Sequence, residues 1–196
     1  MNIKKLFELQ KQLDLRIERE HPRKPGEDRL AKKILALQVE LGELANCWRG
    51  FKYWSNDQEP RRIDPYCVEC AGTGEVRSLG IVRECKCNPL LEEYVDCLHF
   101  ILSIGLEIDF KRKPIDIIKS HDVITQFNEM FRLVSAFWRI YAETGVIKGC
   151  GLYDTYEDIL RTFMGLGQEL GFTWEQIEEA YMKKNAENHI RQENGY

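Results

Sequence analysis

The chain of 196 residues is 43% hydrophobic and carries a net charge of -4, so it can bury a core as one domain, 1–196, and lacks the basic footprint of a general nucleic-acid binder. No apolar run is long enough to span a bilayer, and the start meets Glu8 before any signal-peptide core develops. A soluble, cytoplasmic protein with no membrane partner is the expectation.

Helical periodicity dominates from the first residues onward. Residues 2–20 set Ile3, Leu6, Leu9, Leu13 and Ile17 on one side, and residues 28–50 do the same with Leu30, Ile34, Leu37, Leu41, Leu44 and Trp48. A third helix is predicted to begin after Pro89 and to run to about Phe110. A fourth follows Pro114, running from Ile115 to Tyr141 through Phe127, Phe131, Val134, Phe137 and Trp138. Gly149-Cys150-Gly151 separates it from a fifth at about 153–170, and Thr173 with Gln176 forms a capping box that opens the last. All six prolines lie outside these segments. The pattern predicts an all-α helical bundle.

Two acidic pairs stand out on separate helices: Glu40 with Glu43, and Glu93 with Asp96. Carboxylates at i and i+3 share one side of a helix, so two such helices packed together offer a four-carboxylate cage. Leu37, Leu41 and Leu44 flank the first pair, and Leu90, Leu98 and Ile101 the second, which places the acids at the border of a buried face. Clustered anions there repel unless a hard cation sits between them, and oxygen-only ligation suits Mg²⁺ or Mn²⁺ bound with substrate phosphates. Near the C-terminus Lys184, Asn188 and Arg191 fall at i, i+4 and i+7, an ammonium, an amide and a guanidinium in one stripe suited to phosphate. The Gly195-Tyr196 ending can bring the Tyr196 hydroxyl toward the same anion. The competing reading of each feature is an ordinary solvated helix face.

The Cys-rich segment 56–89 has no helical period. Cys67 and Cys70 form a C-x-x-C, Cys85 and Cys87 a C-x-C, with 14 residues between the pairs. Four thiolates so spaced can close a tetrahedral site whose natural occupant is structural Zn²⁺. The C-x-x-C-x-G-x-G portion resembles half of the zinc module of DnaJ-type chaperones. Cys47, Cys97 and Cys150 stand alone and read as buried small hydrophobes.

Taken together, five stretches resemble the all-α dimeric dUTP diphosphatases, within the wider group of MazG-like all-α nucleoside-triphosphate pyrophosphatases. They are Leu9 to Asp14, Glu40-x-x-Glu43, Lys52-Tyr53-Trp54, Glu93 to Ser103, and Lys184 to Tyr196. The E-x-x-D-x-x-H-F-I-L-S run and the K-N-x-x-N-x-x-R-Q-x-x-G-Y ending are the specific parts. The resemblance implies a homodimer that hydrolyses dUTP, and dUDP, with two or more Mg²⁺ ions held by Glu40, Glu43, Glu93 and Asp96. It favours Glu40 over Glu43 for orienting the attacking water, which spacing alone does not separate. It also implies that Gln10, Trp54 and His99 line the nucleoside pocket, with Asn188 near the sugar or base.

Asp14 stands where the family has an asparagine, and its carboxylate accepts without donating. A dCTP-directed or MazG-like pyrophosphatase is therefore the alternative. A reading of another class is a zinc-stabilised interaction protein on a degenerate helical scaffold. Retention of all four acids with Lys184 and Arg191 argues against it.

Overall fold

The computed structural model describes residues 3–78, 80–111, 116–145 and 149–195. Its elements in chain order are α1 (Ile3–Glu20), α2 (Arg29–Trp48), β1 (Glu75–Ser78), β2 (Ile81–Glu84), α3 (Pro89–Glu107), α4 (Val123–Thr144), α5 (Cys150–Glu169) and α6 (Trp174–Glu193). The fold is all-α apart from the two-stranded insert. Among the described residues no helix is long and apolar enough to cross a membrane.

Local chemistry sets the helix ends. Asp28 accepts from the amide of Ala31 to start α2, and Asn88 accepts from Leu91 while Pro89 supplies the preset first residue of α3. The Thr173–Gln176 capping box is present at α6. Two helices start elsewhere than the apolar pattern alone suggests. The fourth begins at Val123 rather than after Pro114, because Asp122 caps it through Thr125. The chain before it is pinned outside the helix, where Gln126 donates to the Ile118 carbonyl at 2.8 Å and Ile118 donates to Arg161 of α5 at 3.2 Å. The fifth begins at Cys150, with Gly149 as its extended cap. Pro114 and Ile115 lie outside the described residues.

Helix α3 is the centre of the bundle, packed against α1, α2, α5 and α6. Its residues are buried almost all round, including Tyr94, Val95, Leu98, Ile101, Leu102 and Ile104, as expected of a helix whose polar positions are few. Close approach of α5 to α3 depends on two glycines. A Cβ on Gly105 would meet the Tyr156 hydroxyl, which donates to the Ile101 carbonyl at 2.8 Å, and a Cβ on Gly167 would meet the Tyr94 hydroxyl, which donates to Phe163 at 3.0 Å. Tyr94 also stacks on Phe163 with centroids 4.2 Å apart. Helices α4 and α5 pair with each other, and α1 lies on α6 and α3.

The segment between α2 and α3 carries an antiparallel hairpin in the register Glu75↔Glu84 and Val76↔Arg83. The hairpin contributes no apolar core, since all four residues of β2 are exposed.

Candidate active site

The pairing of α2 with α3 brings Glu40, Glu93 and Asp96 together: one carboxylate oxygen from each lies within 4.8 Å of the others. Glu43 is exposed and outside this trio, yet close enough to raise the proton affinity of both Glu40 and Glu93. Burial first, then the charges of Asp96, Glu43 and Glu93, push the Glu40 carboxyl up to about 7. Burial and the charges of Asp96 and Glu43 push Glu93 to about 6. Asp96 is also raised by burial, although Lys184 donates to it at 2.6 Å and opposes the shift. Three half-buried acids with displaced proton affinities form a site that a divalent cation would relieve.

Lys184 reaches this cluster from α6, and Asn188 and Arg191 line the same open groove of about 930 Å³. The cationic stripe inferred from i, i+4, i+7 spacing therefore shares this groove with Glu40 and Asp96. Tyr196 and the side chain of Cys150 lie outside the described residues.

One end of the groove is a buried polar network. Asp14 accepts from Gln10 Nε2 at 2.7 Å and from the Ser103 hydroxyl at 2.6 Å, with Lys33 Nζ 3.4 Å away. A carboxylate cannot donate, so Gln10 turns its Nε2 toward Asp14 and its Oε1 toward His99 Nδ1 at 2.7 Å. The Tyr181 hydroxyl donates to the same oxygen at 2.8 Å, and the Tyr181 ring stacks on His99 with centroids 4.2 Å apart. His99 Nδ1 therefore carries the proton and Nε2 is a bare acceptor with no hydrogen-bond partner. Burial holds this imidazole neutral, its pKa lowered to about 3. Gln10, Asp14 and His99 thus come together at this end of the groove.

Trp54 does not join them. It lies on the loop after α2, 65% exposed, edge-on to Phe51 and Tyr53, and away from the groove. Sequence reasoning overlooked Tyr181, Ser103 and Lys33. The available signal for Tyr181 was its place one helical turn before Lys184.

In the insert, Cys67 Sγ is 3.6 Å from Cys85 Sγ and Cys70 Sγ is 3.6 Å from Cys87 Sγ, with all four sulfurs within 4.8 Å of one another. A disulfide would need about 2.05 Å, whereas zinc–sulfur bonds of about 2.3 Å place tetrahedral ligands roughly 3.8 Å apart. The knuckle closes through a left-handed Gly72 lying against the Pro65 carbonyl and through the Cys85 amide donating to Gly74 at 2.8 Å. Cys97 is fully buried and Cys47 is packed against the core. Burial raises both thiols, Cys47 to about 11, which suits inert small hydrophobes.

No curated protein sequence matches the chain. A protein-family model described as dUTPase matches residues 2–64 and 82–196 and passes over the stretch that holds Cys67, Cys70 and β1. With nearly the whole helical bundle matched, and Glu40 of α2 and Asp96 of α3 sharing one groove with the cationic stripe of α6, the chain belongs to the all-α dUTPase family.

Proposed function

We propose that the protein is a Mg²⁺-dependent dUTP diphosphatase, converting dUTP and water to dUMP and diphosphate, and accepting dUDP. The observation that carries this reading is the convergence of Glu40, Glu93 and Asp96, with Glu40 and Asp96 lining the same groove as Lys184, Asn188 and Arg191, in a chain of a nucleotide-hydrolase family. The three acids, with Glu43 one turn further on, would hold two or more Mg²⁺ ions. Bound there, Mg²⁺ supplies charge neutralisation on the phosphate oxygens and acidifies water.

The chain's own groups do the rest. Glu40 orients the attacking water and takes its proton as the new P–O bond forms and the bridging P–O bond breaks. Lys184 and Arg191 hold the phosphate chain, and Asn188 and Tyr196 assist. Gln10, locked by Asp14, and the bare Nε2 of His99 face the base, and Trp54 would reach it only through movement of its loop.

A second reading is favoured by one observation: Asp14 presents acceptors alone, which suit the exocyclic amine of cytosine. A panel of dUTP, dCTP and dTTP separates the two. The proposal expects dUTP to be preferred, and Asp14→Asn to change the dUTP-to-dCTP ratio. It also expects Glu93→Gln to lose at least about 100-fold in turnover with its helical content intact. Parental turnover by a folded Glu93→Gln would refute the site.

The chain is read as one catalytic domain, 1–196, with insert 56–89 closed by Zn²⁺ on Cys67, Cys70, Cys85 and Cys87. We read the working unit as a homodimer in the cytoplasm. Ile124, Phe131 and Trp138 recur every seventh residue along α4, and Ile124 and Trp138 are 50% and 40% exposed. That second apolar edge is what a self-complementary interface would cover.

A further inference from the structure

We propose that Zn²⁺ in the four-cysteine knuckle sets the position of the first turn of α3, and thereby the cation affinity of the Glu40, Glu93 and Asp96 cluster. The proposal rests on the reading of that cluster as the Mg²⁺ site. The family match passes over residues 65–81, so the half of the knuckle that holds Cys67 and Cys70 is an addition to the catalytic bundle, whereas Cys85 and Cys87 lie within the matched residues.

Its attachment to α3 has no slack. Cys87 is followed at once by Asn88, the N-cap, and by Pro89, which fixes the first helical residue. Glu93 follows Cys87 by six residues and Asp96 by nine. A displacement of the Cys87 sulfur is therefore passed along a short rigid segment to both acids. The other end of the insert is fastened to the same place. Arg61 donates its amide to the Cys47 carbonyl of α2 at 3.0 Å and accepts at its own carbonyl from the Leu90 amide of α3 at 2.9 Å. That backbone bridge ties the helix bearing Glu40 to the helix bearing Glu93 and Asp96. One residue on, the Arg62 guanidinium donates to the Leu170 carbonyl at 2.7 Å and lies over the Phe172 ring, anchoring the insert just before α6.

Packing does not hold the insert in this shape. Ile81 and Val82 are 69% and 56% exposed, and a cavity of about 970 Å³ separates Cys85 and Cys87 from Val95 of α3 and Lys184 of α6. The ion pair of Lys86 with Glu179 across this gap is solvent-exposed and contributes little. A segment this short with no core of its own needs a staple. The four sulfurs at near-tetrahedral spacing are the groups that can supply it.

The test uses the full-length chain. The Cys67→Ser/Cys70→Ser double variant removes two ligands distant in sequence from α3. Zinc is measured by elemental analysis, helical content by circular dichroism, and Mn²⁺ affinity by calorimetry without nucleotide. Expected are about one zinc per parental chain, none in the variant, unchanged helical content, and Mn²⁺ binding weakened about five- to tenfold. Hydrogen exchange at residues 90–96 should quicken, while exchange in α5 stays as it was. A folded, zinc-free variant with parental Mn²⁺ affinity would overturn the coupling and leave the catalytic reading untouched. Mn²⁺ binding that survives Glu93→Gln would overturn the cation-site reading and the coupling with it. Loss of the whole helical fold when zinc is stripped from the native chain would also overturn the proposal, which assigns the metal a local effect. Should the double variant not fold, zinc stripped from the native chain and restored decides between the same outcomes.

Discussion

Replacing Glu40 by Gln should stabilise the Mg²⁺-free protein at alkaline pH, although the change removes an acid from the proposed active site. In the folded chain the Glu40 carboxyl is pushed up to about 7 from an ordinary value of 4.5, by burial and by the facing Asp96, Glu43 and Glu93. A raised carboxyl keeps its proton in the folded state over a range where the unfolded chain has released it. Its favourable contribution is therefore complete below pH 4.5 and is lost as pH rises through 7. Integrated from pH 5 to 8, the displacement amounts to at most about 2.5 kcal/mol, and solvent screening at this partly exposed site reduces it to roughly 1 kcal/mol. For a chain of this size that is a difference of about 3 °C in melting temperature. His99 titrates with the opposite sign, since its lowered value favours the folded state increasingly up to about pH 6.5. Comparing parent with Glu40→Gln cancels that term. Melting is followed by circular dichroism in Mg²⁺-free buffer without chelator, so that the proposed zinc site is left undisturbed. The two proteins should melt together at pH 5, the variant should melt higher at pH 8, and added Mg²⁺ should reverse the order at pH 8. A parent that melts higher than the variant at pH 8 without Mg²⁺ would refute the crowded-carboxylate account.

Two further outcomes test the bundle and its assembly. Gly105→Ala should lower stability by about 1–3 kcal/mol, because the Tyr156 hydroxyl occupies the place its methyl would take; thermal melting checks this, and an unchanged midpoint would show that α3 and α5 are not in close contact. Light scattering at micromolar concentration should return about twice the 23.1 kDa chain mass, and Trp138→Glu should yield monomer; a parental monomer with full activity would end the dimer reading.

The apolar period of 3.6 determined the helices and the face each one buries, because burial of Leu37, Leu41, Leu98 and Ile101 is a property of spacing along one helix. The same spacing put Glu40 and the Glu93 and Asp96 pair at the margins of those faces, and Lys184, Asn188 and Arg191 in a single stripe. The four-cysteine site was legible for a similar reason, since ligand type and separation restrict what four thiolates can close around.

Tertiary packing decided what local spacing does not contain. The pairing of α2 with α3 chose Glu40 for the inner trio and left Glu43 exposed, although both lie on one side of α2. The start of α4 at Val123 depended on Gln126 holding the Ile118 carbonyl, a bond that no apolar pattern announces. The fate of Gln10 was set across three helices: Asp14 fixes its amide, which fixes the proton of His99, while Tyr181 and Ser103 arrive from α6 and α3. Trp54, an aromatic on a loop, had no periodic neighbour to place it, and only the path of the chain after Arg49 decided that it faces solvent. Spacing along one helix is a local property of the sequence, whereas the meeting of groups from α1, α2, α3 and α6 is set by how the helices pack.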